Sequence, residues 1–147
     1  NVGDTRAVLY DNNGNKSVER ITFDHKASDP AENKRIERMG GIVTRKRVMG
    51  VLSVSRSFGD FELKKYVVAR PYVTRNVLST QGKNGFIILA CDGLWDVFTD
   101  EEAGDFVRAS LAIDSSKQGK SSMAQKLIAQ ALKKGTTDNV TCMVIGL

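Results

Sequence analysis

The chain has 147 residues, enough for one domain and short for two, and its 41% hydrophobic and 27% charged residues are ordinary for a soluble globular protein. No apolar run is long enough to span a bilayer, and no secretory leader opens the chain, so no membrane partner is expected. The net charge of +5 is scattered over Arg35, Arg38, Arg45-Lys46-Arg47, Lys64-Lys65 and Lys133-Lys134 without interleaved aromatics, which reads as solvated surface and gives no support to nucleic-acid binding beyond the charge itself.

In chain order, Ala7–Tyr10 is an apolar strand, Asp11–Asn15 a turn rich in Asn and Gly, and Val18 with Ile21 the return strand of a hairpin. His25, the single histidine, falls in the polar loop Asp24–Ser28 and reads as structural or exposed rather than catalytic. A helix follows, with Asp29 as cap, Pro30 at its first position, Glu32 at capping-box spacing, Ile36 and Met39 on one face, and Gly40-Gly41 as the stop. Ile42–Thr44 and Val48–Leu52 read as strands around the basic Arg45-Lys46-Arg47. Tyr66–Ala69 and Tyr72–Val77 are further candidate strands on either side of Pro71, and Gln81–Gly85 is a loop.

Phe86–Cys91 carries no charge and reads as a fully buried strand, closed by Asp92-Gly93. A carboxylate at the mouth of such a strand is costly to desolvate unless something positive meets it, and the glycine leaves room for a sharp turn or a ligand. Trp95 then returns to the core. Thr99 with Glu102 has capping-box spacing for a helix whose apolar face is Ala103, Phe106, Val107 and Leu111. Asp114–Ser122 reads as a loop, with Ser122 capping a second helix that buries Leu127, Ile128, Ala131 and Leu132 and ends at Gly135. Thr136–Asn139 is a turn, and Val140–Ile145 the last strand. Cys91 and Cys142, both in apolar runs, are expected to be reduced thiols, which favours a reducing compartment.

Asp4, Asp92 and Asp138 share one context: each occupies a tight polar turn beside an apolar strand. Carboxylates that converge without cations repel one another, and hard divalent ions such as Mg²⁺ or Mn²⁺ relieve this. No Cys/His spacing suits zinc, no nucleotide phosphate-cradling loop is present, and no Ser–His pairing has motif support. Taken singly, Asp-Gly and Asp-Asn are ordinary turn dipeptides.

The series Val2–Ala7, Asp24-His25-Lys26, Arg35-Ile36 with Gly40-Gly41, Val51–Asp60, Ala90–Asp96 and Thr137–Thr141 runs in this order over nearly the whole chain. It resembles the C-terminal half of a metal-dependent Ser/Thr protein phosphatase of type 2C. The resemblance implies an α+β fold, a β-sandwich of two antiparallel sheets flanked by helices in four layers (α-β-β-α), of which residues 1–147 form the C-terminal portion. It implies two or more Mg²⁺ or Mn²⁺ ions in the complete domain, phosphorylated proteins as substrates, and hydrolysis of phosphoserine and phosphothreonine by metal-activated water. By motif, Asp92 and Asp138 correspond to metal carboxylates and Asp4 to a carboxylate of a third, weaker metal; no catalytic residue beyond metal ligands is assigned. Asp60 corresponds to a structural or flap-supporting position, and Gly40–Val51 to a flap beside the site, without the tryptophan by which plant relatives engage a hormone receptor. An intracellular location, cytoplasmic or nuclear, is expected.

The family's Asp-Gly-His-Gly motif and its phosphate-holding arginine have no counterpart in these residues. The chain is therefore expected to need a missing N-terminal half, or a second chain, to complete the sandwich, and to expose apolar sheet surface without it. The alternative is a non-catalytic pseudophosphatase or a partner-binding regulatory fragment.

Overall fold

A computed structural model describes residues 1–11, 17–75, 85–113 and 119–147, with the backbone only at residues 113 and 119–122. The described residues form two compact units, one of residues 1–5 and 23–73 and the other of residues 6–22 and 74–147. The architecture is α+β, and all pairing between its strands is antiparallel.

The larger unit is built on a four-stranded sheet. Its strands are β1 (Arg6–Asp11), β2 (Ser17–Arg20), β5 (Phe86–Ala90) and β6 (Cys142–Gly146), in the order β2-β1-β5-β6. The β1–β2 hairpin is present, while its turn and the 81–84 part of the expected loop lie outside the described residues. One sheet face buries Val8, Tyr10, Phe86, Ile88 and Ala90 under helices α3 (Asp100–Ile113) and α4 (Gly119–Lys133). Gly104 allows the close seating of α3: a Cβ there would fall 2.2 Å from the Tyr10 ring. Tyr10 stacks on Phe86 at 4.8 Å between ring centres, and its hydroxyl donates to the Asp100 carbonyl at 2.6 Å. Burial, with the Asp100 charge adding to it, pushes the Tyr10 phenol well above its ordinary value.

The central strand is not buried on both faces as its apolar run suggested. Its exposure alternates, and Leu89 is 36% exposed, alongside Met143 at 55% and Ile145 at 41% on β6. All three lie on the face away from α3 and α4.

The capping box of α3 forms in both directions: Glu102 N donates to Thr99 Oγ1 and Thr99 N donates to Glu102 Oε2, each at 3.1 Å. Helix α4 starts earlier than the loop reading allowed, so Ser122 lies inside it, and the 114–118 part of that loop lies outside the described residues. Its buried face is Met123, Leu127 and Ala131, at fourfold spacing, with Ile128 half-buried and Leu132 turned out. No described helix is long and apolar enough to cross a membrane.

The smaller unit holds α1 (Pro30–Arg38), the two-stranded pair β3 (Val43–Thr44) and β4 (Arg47–Val48), and a single 3₁₀ turn at Phe61–Leu63. Asp29 caps α1 as expected, its Oδ1 accepting from Ala31 N and Glu32 N at 3.0 Å. Glu32 does not reach back to the cap; it is a buried carboxylate held by other residues, described below. The β3–β4 connection is a tight turn in which Arg45 and Lys46 both have positive φ, 50° and 61°. The expected strand Val48–Leu52 is cut short because Met49 and Gly50 also have positive φ and turn the chain, with Val48 N donating to Leu52 O at 2.7 Å.

Tyr66–Ala69 is not a strand. Tyr66 N and Val67 N both donate to Leu63 O, which winds the segment into a turn that buries Val67 and leaves Val68 a single bridge to Arg56. Residues 72–75 form no strand either, and the rest of that expected element lies outside the described residues.

Candidate functional site

The segments that carry Asp92 and Asp138 adjoin through the backbones of neighbouring residues. The register Ala90↔Cys142 brings the end of β5 beside the start of β6. Beyond it, Cys91 N donates to Thr141 O at 3.2 Å. Cys91 Sγ accepts from Thr141 N and donates to Asn139 O, each at 3.2 Å. The thiol thus bridges both sides of the Asn139–Thr141 segment. Both cysteines are free, and burial, then the neighbouring Cys91, pushes the Cys142 thiol up to about 12.

Asp92 opens α2 (Asp92–Trp95), a single helical turn anchored by Trp95, whose Nε1 donates to Ala90 O at 3.0 Å and Arg6 O at 3.3 Å. Gly93 packs so closely on the Asp138-Asn139 turn that a Cβ would stand 2.2 Å from Asn139 O. Glycine is needed here for close approach of two backbones rather than for an unusual φ. Asp92 is half-buried and Asp138 exposed, with Asp138 Oδ1 accepting from Asn139 N at 2.6 Å. Among the described residues neither carboxylate is paired with a cation, although Arg6, Arg20 and Arg108 lie in the same unit; Arg6 and Arg20 converge instead on Asp100, at 2.7 and 2.8 Å.

The donor chemistry therefore fits a hard divalent ion: two carboxylates on adjoining loops, all-oxygen, without a competing cation. Among the described residues no group of three or more His, Cys, Asp or Glu is arranged to hold a metal, so a full coordination sphere needs further donors. Gly93→Ala is expected to force the two loops apart, costing about 1–3 kcal/mol in a denaturant titration and lowering metal affinity in an isotherm. An unchanged isotherm would show that the spacing of the loops does not matter.

Asp4 belongs to the smaller unit. Gly3 before it has φ +93°. The Gly3 carbonyl accepts from His25 N and from His25 Nδ1, both at 3.0 Å, and from Asn1 Nδ2 at 3.2 Å. Lys26 Nζ lies 4.0 Å from Asp4 Oδ2. His25 is fully buried, in keeping with a structural role, and burial followed by the nearby Arg56 charge lowers its pKa.

The motif series includes Arg35, Ser55 and Arg56 but gives no sign that they converge on Glu32. Its side chain is only 5% exposed. It accepts from Arg56 at 2.6 and 2.9 Å, from Arg35 at 3.0 Å and from the Ser55 hydroxyl at 2.8 Å. Burial disfavours its charge, but the hydrogen bonds from Arg56, Arg35 and Ser55 outweigh it and hold the carboxyl down to about 2. Arg35 goes on to the Ser55 and Tyr66 carbonyls, and Arg56 to that of Arg70, so one buried acid ties α1 to three loop segments. Asp60 is likewise a turn residue: it has φ 52° after Gly59 at 77°, and accepts from the Ser57 hydroxyl. A cleft of about 270 Å³ lined by Val51, Leu52 and Asp60–Leu63 lies in this unit and does not include Asp4.

The profile of the family described as Protein phosphatase 2C matches residues 1–140. Across 147 residues the chain is 44% identical to protein phosphatase 2C homolog 1 of Saccharomyces cerevisiae, covering all of this chain and 48% of that protein. It is 42% identical to the homolog 1 of Schizosaccharomyces pombe, covering 39% of it. Among solved structures, a phosphatase from a pathogenic strain of Toxoplasma gondii superposes with a TM-score of 0.83 at 31% identity, over 99% of this chain and 46% of that one. A sex determining protein of C. elegans superposes with a TM-score of 0.82 at 27% identity, over 99% of this chain and 35% of that one. The chain spans about half the length, or less, of the curated relatives it matches. With a family profile matched over residues 1–140, the chain belongs to the protein phosphatase 2C family.

Proposed function

We propose that residues 1–147 are the C-terminal portion of a phosphatase catalytic domain whose complete form hydrolyses phosphoserine and phosphothreonine in proteins with Mg²⁺ or Mn²⁺. The observation that carries this reading is the pair of carboxylates, Asp92 and Asp138, unpaired with a cation among the described residues, on loops held together at Gly93 and Cys91. Asp92 and Asp138 would hold the ions, with Asp4 serving a third, weaker one. Bound there, such ions supply Lewis acidity, lowering the pKa of water and neutralising charge on a phosphoryl group. The chain's own work is positional: the β5–β6 register and the α2 turn set the spacing of the two carboxylates, and Trp95 fixes the turn to the core. The remaining donors and the phosphate-binding groups would come from the rest of a longer polypeptide. Its strands would also cover the sheet face that carries Leu89, Met143 and Ile145. Two free thiols suit a reducing, cytoplasmic or nuclear setting.

The test is phosphate release from a phosphothreonine peptide by the full-length polypeptide and by residues 1–147 alone, with Mn²⁺ and with chelator. Chelator-sensitive release by the full-length form alone is expected. No release at saturating Mn²⁺ by either would overturn the enzymatic reading and leave the partner-binding one.

A further inference from the structure

We propose that His25 is a positioning residue for Asp4: as its Nδ1-protonated tautomer it fixes the Gly3–Asp4 peptide plane and thereby the direction in which Asp4 presents its carboxylate to a divalent cation. The inference rests on the reading of Asp4 as a metal carboxylate.

The tautomer follows from the partner. A carbonyl oxygen only accepts, so the ring nitrogen 3.0 Å from Gly3 O must donate, and Nδ1 carries the hydrogen. The backbone N–H of the same residue donates to the same oxygen at 3.0 Å, so one residue grips this carbonyl twice. The grip matters because of what precedes Asp4. Gly3 sits at φ +93°, in a region where glycine has wide freedom and little intrinsic preference. The peptide unit is planar, so holding its oxygen also holds the nitrogen and Cα of Asp4.

His25 Nε2 is buried without a hydrogen-bond partner among the described residues. In this tautomer it is a bare acceptor, an arrangement that is unfavourable in a buried site. A ring present only to fill space would carry that cost for nothing; here the one polar bond it makes is to Gly3. His25 is in turn fixed by Ser55 N, which donates to its carbonyl at 2.8 Å, and by the Phe23 ring, edge-on at 5.5 Å. The next residue, Lys26, approaches the Asp4 carboxylate itself at 4.0 Å, so successive residues hold the backbone and the side chain of Asp4.

The experiment compares His25→Asn, His25→Gln and His25→Ala in the full-length polypeptide. Asn places an amide N–H close to the Nδ1 position, whereas Gln places it nearer Nε2. Mn²⁺ isotherms without substrate read the binding phase removed by Asp4→Asn, and ¹⁵N NMR of the wild-type imidazole reads the tautomer. The Nδ1–H form is expected, with the Asp4-dependent phase weakened about tenfold or more in Gln and Ala and within about threefold in Asn. A role in packing alone predicts the reverse order, since Gln is closer to histidine in volume. Gln matching or exceeding Asn, or an Nε2–H tautomer, would overturn the proposal, and the Asn–Gln comparison decides it even if the Ala variant fails to fold. Should Asp4→Asn leave the isotherm unchanged, the reading of Asp4 falls and the role of His25 with it, while chelator-sensitive phosphate release would stand independently.

Discussion

Asp92→Asn in the full-length polypeptide is expected to lower Mn²⁺-dependent phosphate release at least about a hundredfold, the upper end of what loss of an indirect metal contact costs. Asparagine keeps the shape of the side chain and removes its charge. Asp92 pairs with no cation among the described residues, so its charge supports no ion pair among them. It does open the α2 turn, where a negative charge favours the helix by about 0.3–1 kcal/mol. A denaturant titration should therefore move by no more than that while turnover collapses. Near-normal turnover at saturating Mn²⁺ would remove Asp92 from the site.

Glu32→Gln is expected to act on stability instead, by about 3–5 kcal/mol, because it leaves Arg35 and Arg56 without their shared countercharge in a largely buried place. The same carboxylate sets an acid limit on the fold. Its pKa is about 2 when folded against an ordinary 4.5, so the unfolded chain binds the proton more readily. The stabilisation is complete above about pH 4.5 and is lost as pH falls toward 2, a span worth roughly 3 kcal/mol. Stability curves of wild type and Glu32→Gln should converge across that interval. Parallel curves, or a loss below about 1 kcal/mol at neutral pH, would show that the network is dispensable.

The sequence carried local signals well. The Thr99/Glu102 box, the Asp29 cap, the β1–β2 hairpin and the apolar 86–90 strand all depend on residues near one another in the chain. Partners distant in sequence were harder to read. Glu32 stands at capping-box spacing, and nothing within three residues reveals that Arg56 and Ser55 will outcompete the cap for its oxygens. The apolar run of β5 looked buried on both faces because composition reports what a strand prefers to cover, not whether a cover is present. Tyr66–Ala69 has strand-like residues, yet Leu63 O captures two of its amides and wins locally. At the site, the Asp-Gly and Asp-Asn dipeptides were indistinguishable from ordinary turns until motif order set them apart. The contact between Gly93 and Asn139 needs the β5–β6 register, which no single stretch encodes.

The exposed apolar side chains of β6 bear on how this polypeptide is handled. β6 ends the sheet, so its outer row of amides and carbonyls has no neighbouring strand among the described residues, and Met143 and Ile145 project beside it. A greasy ribbon with an open hydrogen-bonding edge is a template on which another extended segment can add, and the addition can repeat. For residues 1–147 handled alone, solubility is thus a balance between separate chains and intermolecular growth. Dilution favours the first and concentration the second, so the yield of soluble material should fall with protein concentration rather than with time or temperature alone.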